Sequence, residues 1–293
     1  MTQLVHEFTQ TLPAPAETAF AALISEAALQ TWFAAHVAID PRPGGRFQFW
    51  GKHTYGAPSH PGIDTRLSLF EPCVAIGFEW PLEGCQGAVE LRISGKHEGS
   101  ALTVTHTLTP APKIGRAKEM VDDLWRLHLG ALCTHLQGKP VDLPDFADPH
   151  PLVKLSIYID APRATVWRAM TKPSPLNQWL TKTATIDLDA RTLDFGWSYE
   201  IGGETVTVPP MQLHEIIENE KLVMQWKDWR GDADVPDQRV VWLLADEGEG
   251  TRVSLVHDGF TRPTDISDYP FGWVWFLEQL RLVGETEAGK FQA

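Results

Sequence analysis

The sequence predicts a two-domain α+β protein in which each domain pairs an antiparallel sheet with one long helix. Residues 14–40 and 161–187 align without a gap and share eight of 27 residues, where ordinary composition gives roughly two by chance. In both halves, segments with a period of two follow, and an apolar stripe of helical period comes last. A repeat offset of about 147 residues is typical of a duplicated globular domain and too long for a solenoid unit.

Each half is predicted to contain one strand, two short helices, several further strands and a final helix. The first strands are expected at residues 4–12 and 152–159, and each ends at an Ala-Pro pair because proline cannot donate to a strand ladder. In the later strands, alternate apolar residues share a face, and these faces match between the halves. The matched sets are Ile76, Phe78 and Trp80 with Leu222, Met224 and Trp226, and Val89, Leu91 and Ile93 with Val240, Trp242 and Leu244.

The final helix of each half is expected to cover one face of its sheet. It is predicted over residues 119–136 in the first half, and Asp268 and Pro270 are start signals in the second. Trp275 lies off the second stripe. The residues on the stripes are Met120, Leu124, Leu127, His128, Ala131, Leu132 and His135, and Trp273, Phe276, Leu277, Leu280 and Val283.

The strand over residues 240–244 departs from simple alternation, because it is apolar on both of its faces. Two interpretations fit this pattern. The strand either makes a contact between the domains or in a dimer, or it is a central strand beneath a loop.

Length and composition limit the function classes. The 293 residues suit two domains of roughly 140 residues each. These domains are predicted at residues 1–138 and 151–287, joined by a linker at 139–150 that is rich in proline and aspartate. A net charge of −13 without a basic run argues against nucleic acid and anionic membranes as partners. Three cysteines outside any CxxC pair, no secretion signal and no long apolar run predict a cytoplasmic protein.

An ordered set of short motifs runs along the chain. They are Trp32-Phe33 and Trp179-Leu180, Pro43-Gly44-Gly45, His257-Asp258-Gly259-Phe260, and Gly272-Trp273. As an ordered set they resemble the activator of heat-shock-protein-90 ATPase homologue family, within the START-like (SRPBCC) superfamily. The resemblance covers nearly the whole chain as a tandem, although each copy matches only in part: the first lacks the Gly-Phe, and the second lacks the Pro-Gly-Gly. It implies the helix-grip fold, a curved antiparallel sheet wrapped around the C-terminal helix, often with a cavity between them.

Histidines are the candidate catalytic residues. Strand parity places His106 and His257 on the apolar faces that look toward the helices, and His128 lies on the inward stripe of the first helix. A histidine in an apolar cleft can act as a general base or hold a ligand oxygen. The alternative is a structural histidine that is hydrogen-bonded to a backbone carbonyl or to a tryptophan indole in the core.

Aromatic side chains on inward faces are the candidate ligand-binding residues. They can line a cavity for an apolar or aromatic molecule, or they can simply fill the core. With the histidines, the predicted ligand-binding set is Phe49, Trp80, His106, His128, Trp197, Trp226, Trp242, His257 and Trp273.

Other kinds of site receive no support from the sequence. The hydrolase elbow GxSxG, the dinucleotide motif GxGxxG and the P-loop motif are missing. His214 and Glu218 resemble part of a zinc motif, but the second histidine is missing and the segment is a strand. We therefore expect no metal and no cofactor, and we expect His53, His60 and His97 to be solvated loop residues.

Three hypotheses for the function remain open. The first is binding of a small apolar or aromatic molecule without catalysis. The second is an aromatase/cyclase-like enzyme that uses His106 or His257, as some tandem members of the resembled superfamily are. The third is a protein-interaction module, chaperone-associated or homodimeric, based on Trp275, the strand at 240–244 and the acidic surface.

Overall fold

The computed structural model describes residues 2–62, 64–96, 99–201, 204–228 and 235–292, so His97 lies outside the described residues. The chain forms two compact units, one of Met1–Pro149 with Pro263–Asp268 and the other of His150–Arg262 with Tyr269–Ala293. Each unit is α+β, as predicted. The predicted domain boundaries remain a prediction, and the structure adds that most of the predicted linker packs on the first unit.

The first unit contains a five-stranded antiparallel sheet of order β1-β7-β6-β5-β4, a two-stranded sheet of β2 and β3, and the long helix α3. Its first strand and final helix lie where the sequence predicts them. The elements are β1 (Leu4–Leu12), α1 (Ala16–Ile24), α2 (Glu26–Trp32), β2 (His36–Ile39), β3 (Phe47–Trp50), β4 (Leu69–Glu71), β5 (Ala75–Glu79), β6 (Gln86–Lys96), β7 (Gly99–Thr109) and α3 (Ala117–Leu136).

The second unit repeats this plan around a seven-stranded antiparallel sheet of order β8-β16-β15-β14-β13-β10-β9, with the long helix α6. A 3-10 turn at Pro263–Ile266 precedes α6. The elements are β8 (Val153–Ile159), α4 (Arg163–Thr171), α5 (Pro173–Trp179), β9 (Thr185–Asp187), β10 (Thr192–Asp194), β11 (Ser198–Ile201), β12 (Glu204–Thr207), β13 (Met211–Ile217), β14 (Lys221–Trp226), β15 (Gln238–Glu247), β16 (Gly250–Asp258) and α6 (Tyr269–Gln292).

The repeated helix pair is anchored identically in the two units. The indole of Trp32 donates to the carbonyl of Ala22 at 3.0 Å, and that of Trp179 donates to Ala169 at 2.9 Å. All of these contacts are buried. A buried indole N–H needs an acceptor, so each tryptophan ties the second short helix to the first.

The strand that is apolar on both faces is an inner strand, because β15 lies between β14 and β16. Its inward residues Trp242 and Leu244 are buried, whereas Leu243 on the other face is 40% exposed. The structure thus agrees with a central strand, and its outer face is only partly covered.

The described residues were compared with the requirements of a membrane-spanning helix and of a metal site. None of the described helices combines the length and the apolar character that a membrane crossing requires. Within the described part of the chain, no group of three or more His, Cys, Asp or Glu side chains is arranged to hold a metal ion.

Candidate ligand-binding site

A strand histidine is hydrogen-bonded to a helix tryptophan in each core. The indole of Trp125 on α3 donates to Nδ1 of His106 on β7 at 3.2 Å, and the indole of Trp273 on α6 donates to Nδ1 of His257 on β16 at 3.0 Å. Both histidines are fully buried. Strand parity correctly places them inward, facing the helix.

The tryptophan also fixes the tautomer of each histidine. An indole N–H can only donate, so Nδ1 is the acceptor and Nε2 carries the proton. Nε2 of His106 donates to the carbonyl of Trp80 at 3.0 Å, and Nε2 of His257 donates to the side-chain oxygen of Gln238 at 2.8 Å. Both ring nitrogens are engaged in each unit, as in the structural alternative considered for these residues.

Burial keeps the two imidazoles neutral. It lowers the pKa of His106 to about 4, opposed in part by the hydrogen bond to Trp80 and assisted by nearby His6. Burial alone lowers the pKa of His257 to about 3. Neither ring has a free nitrogen to take a proton from a ligand in this arrangement, so catalytic use remains a prediction that requires the Trp–His pair to separate.

His128 differs from the other two histidines because one of its nitrogens is buried without a partner. Its Nδ1 lies 3.4 Å from the carbonyl of Trp32, while Nε2 has no hydrogen-bond partner among the described residues. Burial lowers its pKa to about 4, the hydrogen bond to Trp32 opposes this shift, and His53 adds to it. The rings of Phe33 and Trp80 contact it, with centroids 5.0 and 5.5 Å away.

Interlocking aromatic rings pack the space between sheet and helix in the first unit. The Phe33 ring lies 5.1 Å from that of half-buried Phe49 and 5.5 Å from that of Trp80, and Phe47 stacks on Phe78 at 4.4 Å. The structure brings the predicted residues Phe49, Trp80, His106 and His128 together in this cluster.

The corresponding space of the second unit holds a small apolar pocket. Its volume is about 10 Å³, which is close to the minimum for a single water molecule. Ten apolar residues line it. Eight lie on α4, α5, β10, β14, β15 and α6, and Leu180 and Phe195 directly follow α5 and β10. The ten are Met170, Leu176, Trp179, Leu180, Leu193, Phe195, Leu222, Met224, Trp242 and Trp273.

Two of the predicted ligand-binding residues of this unit, Trp242 and Trp273, line the pocket directly. Trp226 lies behind them, with its ring 4.8 Å from that of Trp273, and half-buried Trp197 packs at 4.4 Å on Phe195. His257 belongs to the same cluster but is absent from the pocket wall.

Matched positions explain why the two cores differ. Phe33 and Phe78 of the first unit correspond to Leu180 and Met224 of the second, while Leu91 corresponds to Trp242. Two large rings have therefore been replaced by flexible aliphatic side chains, and one ring has been added on the neighbouring strand.

Two members of these clusters were not predicted from the sequence. Trp125 was not singled out, and Phe33 was named only as part of a motif. Trp125 lies beside the predicted stripe of α3 and yet is fully buried. The signal that could have found it is its alignment with Trp273, which lies 148 residues later, one residue more than the offset of the duplicated segment.

Replacing Trp273 with phenylalanine is expected to lower the free energy of unfolding by roughly 2 kcal/mol, because Nδ1 of His257 would be left buried without a donor. Urea denaturation measures this loss. Trp275→Phe is the matched control on the same helix: Trp275 is 56% exposed, so its change should stay within about 0.5 kcal/mol. Equal losses in the two variants would contradict a role for the Trp–His hydrogen bond.

The match to a protein family agrees with a tandem arrangement. The family described as Activator of Hsp90 ATPase homolog 1-like protein matches residues 13–137 and again 160–284. Among solved structures, DynU16 from the dynemicin biosynthetic locus is 14% identical over 96% of this chain and 98% of its own, with a TM-score of 0.41. BexL, a di-domain ARO/CYC from the BE-7585A biosynthetic pathway, is 14% identical over 98% and 99%, with a TM-score of 0.35.

A single-domain likeness is also found. The Aha1 dimer from Colwellia psychrerythraea is 18% identical over 46% of this chain and 97% of its own, with a TM-score of 0.34. No curated protein matches the chain. Because the family match extends over most of both halves, the chain belongs to the Activator of Hsp90 ATPase homolog 1-like family, with one family domain in each half.

Proposed function

We propose that this protein binds a small apolar or aromatic molecule between the sheet and α6 of its second unit. The observation that carries the proposal is the pocket whose ten lining residues are all apolar. Small-molecule sites are concave and mainly apolar, and they often occur between packed elements in this way. The cytoplasm stays the predicted compartment.

Ligand binding requires the pocket to widen, since about 10 Å³ cannot hold an organic molecule. Its wall contains side chains that can move. Met170 and Met224 are unbranched and flexible, so they can change rotamer at low cost. The first unit offers less freedom, because the rigid rings of Phe33 and Phe78 occupy the positions of Leu180 and Met224. We therefore assign the binding of this apolar ligand to the second unit.

A second candidate function is protein contact through α6. Val274, Trp275 and Leu282 are 53%, 56% and 46% exposed on this helix. Exposed large apolar residues that cluster on one element are typical of interaction sites. A homodimer or another protein partner would cover them, and native mass spectrometry reports a dimer directly.

The test of the binding proposal uses neutral 1-aminoanthracene as a fluorescent probe. Leu180→Phe introduces the side chain that the first unit carries at this position, so it should fill the pocket and raise the probe's Kd by about tenfold or more. Trp242→Leu introduces the side chain of Leu91, so it should enlarge the pocket and lower the Kd.

Leu243→Phe is the control, because Leu243 lies on the exposed outer face of β15 and its enlargement should leave the Kd unchanged. Circular dichroism confirms that each variant folds. If Leu180→Phe binds the probe as tightly as the unmodified protein, the pocket is not the site and the proposal fails.

A further inference from the structure

A second and larger cavity lies on the first unit, away from the aromatic cluster. Its volume is about 420 Å³, within the range of roughly 300–1,000 Å³ that small-molecule sites occupy. It is lined by His36 at the start of β2, by the loop over residues 51–59 after β3, and by residues from the strap, defined here as 143–147.

The loop over residues 51–59 separates this groove from the core of the first unit. On its inner side, the hydroxyl of Thr54 donates to the carbonyl of Phe33 at 2.6 Å, and the indole of Trp80 donates to the carbonyl of Tyr55 at 2.8 Å. These bonds fix the loop against the aromatic cluster. The outer side of the loop is therefore a fixed wall that does not depend on ligand.

The strap is fastened to the loop by three polar contacts. The N–H of Phe146 donates to the carbonyl of Lys52 at 2.8 Å, and the Lys52 ammonium lies 3.1 Å from the Asp145 carboxylate. The imidazole of His53 donates to the carbonyl of Pro144 at 2.9 Å, so His53 is not the solvated loop residue that the sequence predicted. A wall that is already ordered lowers the entropic cost of binding.

Lys52 supplies the positive charge beside the groove. It carries three N–H donors and uses one on Asp145, while the His36 imidazole and the Ser59 hydroxyl, each able to donate a hydrogen bond, are exposed at the rim. Among the described residues that line the groove there is no Asp or Glu, although the chain has 38 acidic residues. Such a site favours a ligand with an anionic acceptor group.

The remaining wall is apolar and largely free of bulky side chains. Gly51, Gly56 and Ala57 form one part of it, and the ring of Phe146 stands beside them. The His36 ring stacks on Trp50 with centroids 5.5 Å apart, which adds an aromatic surface at the edge. Walls of this kind suit a flat apolar body.

We propose that this groove binds a small aromatic carboxylic acid, independently of the pocket in the second unit. The carboxylate accepts hydrogen bonds from Lys52 and His36, because charge-assisted bonds to a carboxylate are strong. The aromatic ring lies against Ala57 and Phe146. The strap thereby becomes one wall of a binding site as well as the start of the connection to the second half.

Isothermal titration of the full chain with 2-naphthoate and with neutral 2-naphthamide tests the proposal. The acid should bind, and the amide should bind about tenfold more weakly. Lys52→Met should lower the affinity for 2-naphthoate by about tenfold and remove the preference for the acid over the amide. Ala57→Trp should fill the groove and abolish binding, and Ser59→Trp at the exposed rim serves the same purpose if Ala57→Trp misfolds.

Leu180→Phe is the control that separates this proposal from the pocket in the second unit. It should leave the 2-naphthoate affinity unchanged even where it weakens 1-aminoanthracene binding. The groove proposal is overturned if the acid does not bind, if acid and amide bind equally, or if a folded tryptophan variant at position 57 or 59 retains the affinity. Loss of acid binding in Leu180→Phe would instead place the acid in the second unit.

Discussion

Acidification is expected to destabilise the first unit about twice as steeply as the second. The first unit buries His106 and His128, each with its pKa lowered from 6.5 to about 4, and the second buries His257, with its pKa lowered to about 3. In the unfolded chain these imidazoles take up protons below pH 6.5, while the folded protein leaves them neutral. The stability that they contribute is therefore complete above pH 6.5 and is lost as pH falls toward the folded values.

The size of the effect follows from proton linkage. As the pH falls from 6.5 toward its folded pKa, each buried histidine lowers the free energy of unfolding by about 1.4 kcal/mol per pH unit. Two histidines in the first unit give roughly 3 kcal/mol per unit and about 6 kcal/mol down to pH 4. That loss is comparable to the whole stability of an ordinary domain, so the first unit should unfold at a pH where the second is still folded.

Hydrogen exchange followed by mass spectrometry resolves the two units, because peptides from α3 and α6 report on each separately. Protection of α3 should fall steeply between pH 6.5 and 4, and that of α6 should fall less steeply. His128→Leu removes one titrating group and the unpartnered Nε2, so it should halve the slope for α3. His60→Leu, at an exposed loop position, should leave the slope unchanged. Equal slopes in His128→Leu and the unmodified protein would contradict the assignment.

The inward faces of the strands and the positions of the long helices could be predicted from local sequence patterns. The two-residue period of the last strands places His106 and His257 inward, and apolar stripes of helical period locate the long helices. The duplication predicts two similar units because the two halves of the chain contain the same order of predicted elements. All of these features are encoded by residues close together in the chain.

The contents of each core could not be predicted in the same way. Whether space remains between sheet and helix depends on volumes summed over distant segments, such as Leu180 with Met224 in the second unit and Phe33 with Phe78 in the first. Trp125 was not predicted to be in the core because it lies beside the stripe of residues that defines the inward face of α3. The packing of the strap also depends on a distant partner, since Lys52 lies 93 residues before Asp145.

A methyl group at Gly87 is expected to unfold the first unit. Gly87 lies on β6 opposite Trp80, whose N–H donates to its carbonyl at 2.9 Å. A Cβ at this position would overlap the Trp80 carbonyl oxygen and lie 2.9 Å from Nε2 of His106. The same oxygen accepts the hydrogen bond from His106. Gly87→Ala thus disrupts both the strand pairing and the hydrogen bonds of the buried Trp–His pair. We expect the free energy of unfolding of the first unit to fall by more than about 4 kcal/mol.

The second unit shows why glycine is required only in the first. Gln238 occupies the corresponding register position, opposite Trp226, and its side chain supplies the oxygen that His257 needs. In the first unit, the main-chain oxygen of Trp80 takes over this function, and it lies where a side chain on residue 87 would begin. The two units thus satisfy the same histidine with two different acceptors, and each acceptor excludes the other.

Far-ultraviolet circular dichroism with hydrogen exchange measures the result of Gly87→Ala, which should remove protection from α3 and leave α6 protected. Gly99→Ala on the neighbouring strand β7 is the control, because the nearest atom to a Cβ there is 3.8 Å away, an ordinary contact. Protection of α3 at the level of Gly99→Ala would mean that the Trp80 carbonyl can move without cost. In that case the hydrogen bond to His106 would not hold the first core together.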